Sequence, residues 1–136
     1  MANEAVLLWE TELPIPFTCA NGAGIEKGAI LKLTDGMTAV INSGDEDDLA
    51  GIAAEEKIAS NGKIKIPVYR GGIFKVYISG TVNIGDALAM STDVNFLKAA
   101  DATCVNSKIL GVALEAGTTT ETIKMELRPG FNNNAY

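Results

Sequence analysis

The feature that most restricts the fold of this chain is an internal repeat. Gly111-Val-Ala-Leu-Glu stands beside an earlier Gly51-Ile-Ala-Ala-Glu, and each leads through a polar turn into an alternating strand. Both strands end in a basic residue, Arg70 or Arg128, with Gly within two positions. The preceding segments match too. Gly28-Ala-Ile-Leu-Lys-Leu aligns with Gly85-Asp-Ala-Leu-Ala-Met, pairing Leu31 with Leu88 and Leu33 with Met90. The offsets are 85 − 28 = 57 and 111 − 51 = 60, so the second copy carries a short insertion. Two copies of so long a unit do not make a solenoid. They predict a duplicated β unit, residues 25–72 and 82–130, closing one barrel or sandwich.

Strand periodicity is strongest between Lys63 and Ser79. Ile64, Ile66 and Val68 alternate with Lys63, Lys65 and Tyr69, and Phe74, Val76 and Ile78 alternate with Lys75, Tyr77 and Ser79. Period-two alternation buries one face and wets the other. The glycines of Arg70-Gly71-Gly72 suit a tight turn, so the two strands are expected to pair as a hairpin. Pro67 has no N–H, which predicts an edge strand or a bulge there. In the last strand Ile123, Met125 and Leu127 face in, and Thr122, Lys124, Glu126 and Arg128 face out. Ile66, Val68, Phe74, Val76, Ile123 and Leu127 are expected to share one core, with Lys65, Lys75, Lys124 and Arg128 outside it.

No stretch carries a helical stripe of useful length. Short strands broken by Gly, Asn and Asp give an all-β class, a small barrel or sandwich. Strands are expected at 29–33, 38–41, 49–54, 86–90 and 107–114, with an irregular connection over 91–103 anchored by Phe96 and Leu97. Length, 136 residues, fits one domain. The domain is expected to run over 23–130, between an extended arm at 1–22 and a tail at 131–136. A net charge of −6 argues against nucleic acid, which requires a basic patch. No apolar run reaches a membrane span, and the first ten residues lack the basic start of a secretory signal.

The arm holds Leu7, Leu8, Trp9, Pro14, Ile15, Pro16 and Phe17. The prolines keep it extended, and its apolar groups must lie on its own barrel or on a partner. The tail places Phe131 and Tyr136 at its ends, where it frays or docks on a neighbour. These nine residues form the expected interface with a sister subunit or another protein.

Catalytic signatures are sparse. The chain contains no histidine, which removes Ser-His-Asp, Cys-His and histidine-metal arrangements. Cys19 and Cys104 lack metal spacing and read as buried small hydrophobes, with a disulfide left open. The acidic run Asp45-Glu-Asp-Asp48 has neither the spacing nor the terminal glutamate of a calcium loop and reads as a solvated turn. Glu55, Glu56 and Glu115 fall in matching places of the two copies. They read either as turn-flanking charges or as carboxylates for acid–base work. No cofactor and no metal is expected, and the chain is not expected to be an enzyme.

In order, Pro14-Ile-Pro-Phe, Ile25-Glu-Lys-Gly-Ala-Ile-Leu, Gly51-Ile-Ala-Ala-Glu, Lys63-Ile-Lys-Ile-Pro-Val, Gly80-Thr-Val-Asn-Ile-Gly-Asp-Ala-Leu, Ile109-Leu-Gly-Val-Ala-Leu-Glu-Ala and Thr122-Ile-Lys-Met-Glu-Leu resemble the small capsid decoration, or cement, proteins of tailed phages. The likeness covers roughly residues 14 to 129 and resides in the spacing of the motifs rather than in any one of them. It implies a β-tulip or small barrel, usually trimeric, bound to the major capsid protein on the outside of the head and stabilising its lattice. Such a protein is made in the host cytoplasm and ends in the virion. The resemblance supplies no catalytic residue. Two other function classes remain beside it: a small ligand-binding or hydrolytic barrel using Glu55, Glu56 and Glu115, and a domain of a phage tail or receptor-binding assembly.

Overall fold

The computed structural model describes residues 3–42, 44, 47–101 and 104–131. Eleven strands follow in chain order: β1 (Val6–Trp9), β2 (Ile15–Thr18), β3 (Ile30–Asp35), β4 (Thr38–Ile41), β5 (Leu49–Ala53), β6 (Lys65–Tyr69), β7 (Gly72–Ile78), β8 (Ala87–Met90), β9 (Phe96–Ala99), β10 (Ile109–Ala113) and β11 (Thr122–Leu127). A single 3-10 turn, Asn106–Lys108, precedes β10, and there is no α-helix among the described residues. Among the described residues no helix is long and apolar enough to cross a membrane.

The strands close two five-stranded rings. The first runs β2-β4-β3-β5-β6, and the second runs β7-β9-β8-β10-β11. Each ring is closed by its one parallel pair, β2 with β4 and β7 with β9. Strand for strand the connectivity is the same, so the repeat is a repeat of whole barrels. The agreement extends outside the strands. An isolated bridge joins Ile25 to Lys57 in the first barrel and Val82 to Gly117 in the second. The Gly28 N–H donates to the Ala53 carbonyl at 2.9 Å, as Gly85 does to Ala113 at 2.8 Å. Gly51 and Gly111 occupy equivalent close approaches. A Cβ on either would collide with a carbonyl oxygen of the neighbouring strand, that of Tyr69 or of Glu126.

Duplication at this level corrects two expectations. β6 and β7 are not a hairpin. β6 pairs with β2 and β5, β7 pairs with β1, β11 and β9, and Arg70-Gly71 is the link between barrels. The glycines permit a crossing rather than a reversal, and Gly72 has φ +128°. The inward residues also fall in two cores instead of one. Ile66 and Val68 pack with Phe17, Leu31 and Ala50, while Phe74, Val76, Ile123 and Leu127 pack with Leu88 and Leu110. Within each strand the alternation holds: Lys65, Lys75 and Arg128 are exposed and Lys124 is half-buried. Ile64 is the exception at 58 % exposure, because it lies before β6 begins.

Pro67 stands in a strand paired on both sides, which corrects the edge-strand expectation. Its register explains why. Pro67 faces Pro16 of β2 as a non-hydrogen-bonded pair of the ladder, so its backbone nitrogen turns away from β2. On the other side its carbonyl accepts from the Ala54 N–H at 2.9 Å, beyond the end of β5. The missing donor is therefore needed by neither neighbour. The connection 91–103 also holds a strand, β9, the counterpart of β4, which its Phe-Leu-Lys-Ala sequence conceals.

The barrels are fused by side chains. Every residue of β5 is buried. Ala50 and Ala53 face the first core, whereas Leu49 and Ile52, with Ile30 of β3, belong to the core of the second barrel. A buried amide pair adds direction to this contact. Asn42 donates to the Ser91 carbonyl at 3.3 Å and accepts the Asn95 N–H at 3.3 Å, and the Asn95 side chain accepts the Ile30 N–H at 2.9 Å. At the link, the Arg70 guanidinium donates to the carbonyls of Ala50 at 2.8 Å and Leu49 at 3.3 Å. In the second barrel the main-chain N–H groups of Arg128 and Gly130 bond the equivalent carbonyls of Leu110 at 2.8 Å and Ile109 at 3.1 Å. The side chain thus replaces a backbone that has left for the next barrel.

Substitution of either close-approach glycine should be costly. Gly51→Ala and Gly111→Ala are each expected to destabilise the protein by about 1–3 kcal/mol through forced displacement of a paired strand, and Phe74→Ala by about 3–5 kcal/mol. Urea denaturation followed by circular dichroism measures all three.

Candidate interaction surface

The N-terminal segment crosses from one barrel to the other. β1 adds to β7 outside the second ring, with Leu7 opposite Phe74 and Trp9 opposite Ile73, and a register shift between Leu7 and Trp9. β2 then completes the first ring. The nine residues expected at an interface accordingly divide. Phe17 is 2 % exposed inside the first core. Leu7 packs against the second core, and Leu8 and Pro14 are half-buried. Trp9, Ile15 and Pro16 are exposed, Trp9 at 58 %. Phe131 is half-buried against Ala87, Ala89, Cys104 and Ile109, with the Arg128 guanidinium 5.2 Å above its ring. Tyr136 lies outside the described residues.

Sequence reasoning missed two members of this surface, Val6 and Leu13, exposed at 53 % and 78 %. Their signal was present as apolar residues on either side of Trp9 in a segment without clear period. Together Val6, Trp9, Leu13 and Ile15 concentrate exposed apolar side chains in ten residues of chain. Such concentration marks a contact site more often than scattered exposure does. Between these residues Glu10 accepts a hydrogen bond from the Tyr69 hydroxyl at 2.9 Å. Burial, then the hydrogen bond to Glu10 and its charge, raise the Tyr69 pKa. Beneath the segment a cleft of about 450 Å³ opens between the barrels, lined by Glu12, Ile15, Arg70, Gly71, Arg128 and Pro129 among others. A second, of about 440 Å³, lies along β1 beside Glu4, Ala5 and Lys27.

The remaining polar candidates are distributed rather than gathered. Glu55 and Glu56 are exposed on the first barrel, and Glu115 is exposed on the second. Glu115 accepts hydrogen bonds from the Lys124 N–H at 3.0 Å and the Lys124 ammonium at 3.2 Å. Those bonds, the backbone one first, lower its pKa. In the acidic loop Asp47 stands 3.5 Å from the Lys32 ammonium, and Asp48 stands 3.4 Å from that of Lys108. Asp45 and Glu46 lie outside the described residues. Among the described residues no three His, Cys, Asp or Glu side chains are grouped to hold a metal ion. Cys19 and Cys104 are free thiols buried in different clusters.

No protein-family model matches the sequence. No curated protein matches it either. Among solved structures the fold is similar to the N base of the head fiber gp8.5 of bacteriophage phi29, with a TM-score of 0.55 at 14 % identity. The match covers 85 % of this chain and 94 % of the other.

The lowered Glu115 pKa fixes a sign. The bonds from the Lys124 N–H and then its ammonium contribute stability above the ordinary carboxylate range, lost as pH falls through the depressed value. In an NMR titration Glu115 should titrate below the ordinary range of a glutamate side chain. Lys124→Met should raise it only in part, because the backbone N–H remains.

Proposed function

We propose that this chain is a non-catalytic structural protein of a phage particle, bound as an oligomer to the outer surface of the head in the manner of a decoration protein. The observation that carries this reading is the fold shared with a head-fiber base over nearly the whole of that chain. The order of short motifs that resembles decoration proteins supports it independently.

Physical considerations suit the role. A decoration protein requires a stiff body and an exposed anchor, and the two fused barrels carry four exposed apolar side chains, Val6, Trp9, Leu13 and Ile15, on one segment. β1 lies outside both rings, so one of its edges is available to another chain, as sheet edges are in strand-addition complexes. Trp9 on that strand is the residue type most often found at the energetic centre of an interface. Because β1 is hydrogen-bonded to β7, the anchor is already ordered before docking, which lowers the entropy lost on binding. Several weak anchors on one oligomer then add avidity.

Head particles lacking the protein provide the test. The purified chain should co-sediment with them, and Trp9 fluorescence, red-shifted in the free protein, should shift to the blue and resist iodide quenching once bound. Trp9→Ala should weaken binding by at least about tenfold, at the scale of an interface hot spot, with an unchanged circular dichroism spectrum. A chain that stays in the supernatant at every concentration would contradict the reading. Retention of full affinity by Trp9→Ala would move the anchor elsewhere on the surface.

A further inference from the structure

The two barrels differ at one end. In the second barrel Phe74, Met90 and Leu127 ring the end and are 1 %, 0 % and 2 % exposed, because Ile30, Leu49 and Ile52 of the first barrel stopper it. The repeat locates the same end of the first barrel. Ile15 faces Val68 as Phe74 faces Met125, and Leu33 corresponds to Met90. Among the described residues no stopper covers that end. Ile15 is 39 % exposed, Leu33 and Arg70 are half-buried, and Leu13 beside them is 78 % exposed. Exposed acids, Glu12 and Asp35, lie on its rim.

The opposite end of the same barrel carries a complementary group. The β2–β6 ladder runs from Ile15 opposite Val68 to Thr18 opposite Lys65, and the Cys19 N–H bonds the Ile64 carbonyl beyond it at 2.9 Å. Ile64 therefore projects past the far end, 58 % exposed between the exposed Lys63 and Lys65. Ile58 is 66 % exposed in the adjoining turn. Branched aliphatic residues fill the closed end of the second barrel, and Ile64 offers one whose flanking lysines can meet Glu12 and Asp35, on a rim that also carries Arg70.

We propose that copies of this chain associate head to tail, with the Lys63-Ile64-Lys65 corner of one seated in the Ile15 end of the first barrel of the next. The contact is heterologous, so it closes into a ring or grows as a stack according to its rotation. It rests on the oligomeric part of the function proposed above and names the surfaces. It leaves Val6 and Trp9 free for a different partner.

Light scattering and sedimentation velocity on the full chain over about 1–100 µM test it without any head particle; the range is set by common weak-to-moderate affinities. The wild type should sediment as a multimer, and higher salt should reduce its mass. Ile15→Glu and Ile64→Glu should each sediment as monomers. An equimolar mixture of the two should yield dimers, since each variant keeps one intact face. Should Ile15→Glu lose its fold, Leu13→Asp takes its place. Wild-type mass in Leu13→Asp and Ile64→Glu, or a mixture that stays monomeric, would overturn the proposal. So would a monomeric wild type, which could still bind heads through Trp9; a multimer that ignores heads would instead sink the head-binding reading and leave this one standing.

Discussion

The structure depends on three aliphatic side chains that belong to one barrel and complete another. Ile30, Leu49 and Ile52 leave the first barrel on its outer face and fill the end of the second. Full burial of an aliphatic side chain contributes about 1.5–3 kcal/mol, so three contribute roughly 5–9 kcal/mol. The net stability of a domain is about 5–15 kcal/mol. A second barrel deprived of this contact would lose an amount comparable to its whole stability. The two rings are thus one folding unit, although each closes its own hydrogen-bond circuit. The Asn42–Asn95 pair and the Arg70 guanidinium satisfy the polar groups that this fusion buries.

Much of the architecture was legible because alternation is a local property. The inward and outward faces of β6, β7 and β11 follow from period two, and the repeat follows from Gly28 with Gly85 and Gly51 with Gly111. Partnership between strands is not local, and there the sequence was silent. Arg70-Gly71-Gly72 has the composition of a hairpin turn and serves as a crossing, because the partners of β6 are fixed by ring closure rather than by proximity in the chain. Pro67 looked like an edge marker, but its backbone nitrogen faces the side where β5 has already ended, so no ladder bond is lost. β9 escaped notice because Phe96 to Ala99 is short and does not alternate cleanly.

The interaction surface was legible in outline only. Trp9 and Ile15 were identifiable as apolar residues in a proline-stiffened segment, and both are exposed. Phe17 shares a face with Ile15, two positions away, yet only Phe17 is in the core, because it lies deeper in the ring while Ile15 opens β2 at the uncovered end. Exposure of Leu13 and Ile64 depends on where strands end, which alternation does not specify. The functional asymmetry has the same origin. Duplication gave two equal barrels, fusion closed the end of one, and the matching end of the other remained available.

Native-state hydrogen exchange measures the central claim, that the first barrel completes the second, most directly. The slowest amides of Leu31 and Val68 in the first barrel, and of Leu110 and Met125 in the second, should share one opening free energy. In Ile52→Ala that shared value should fall for all four by the same amount, because they open only in the global event. Two distinct opening energies in the wild type, or a fall confined to the first barrel in the variant, would contradict the account and leave two barrels that fold independently.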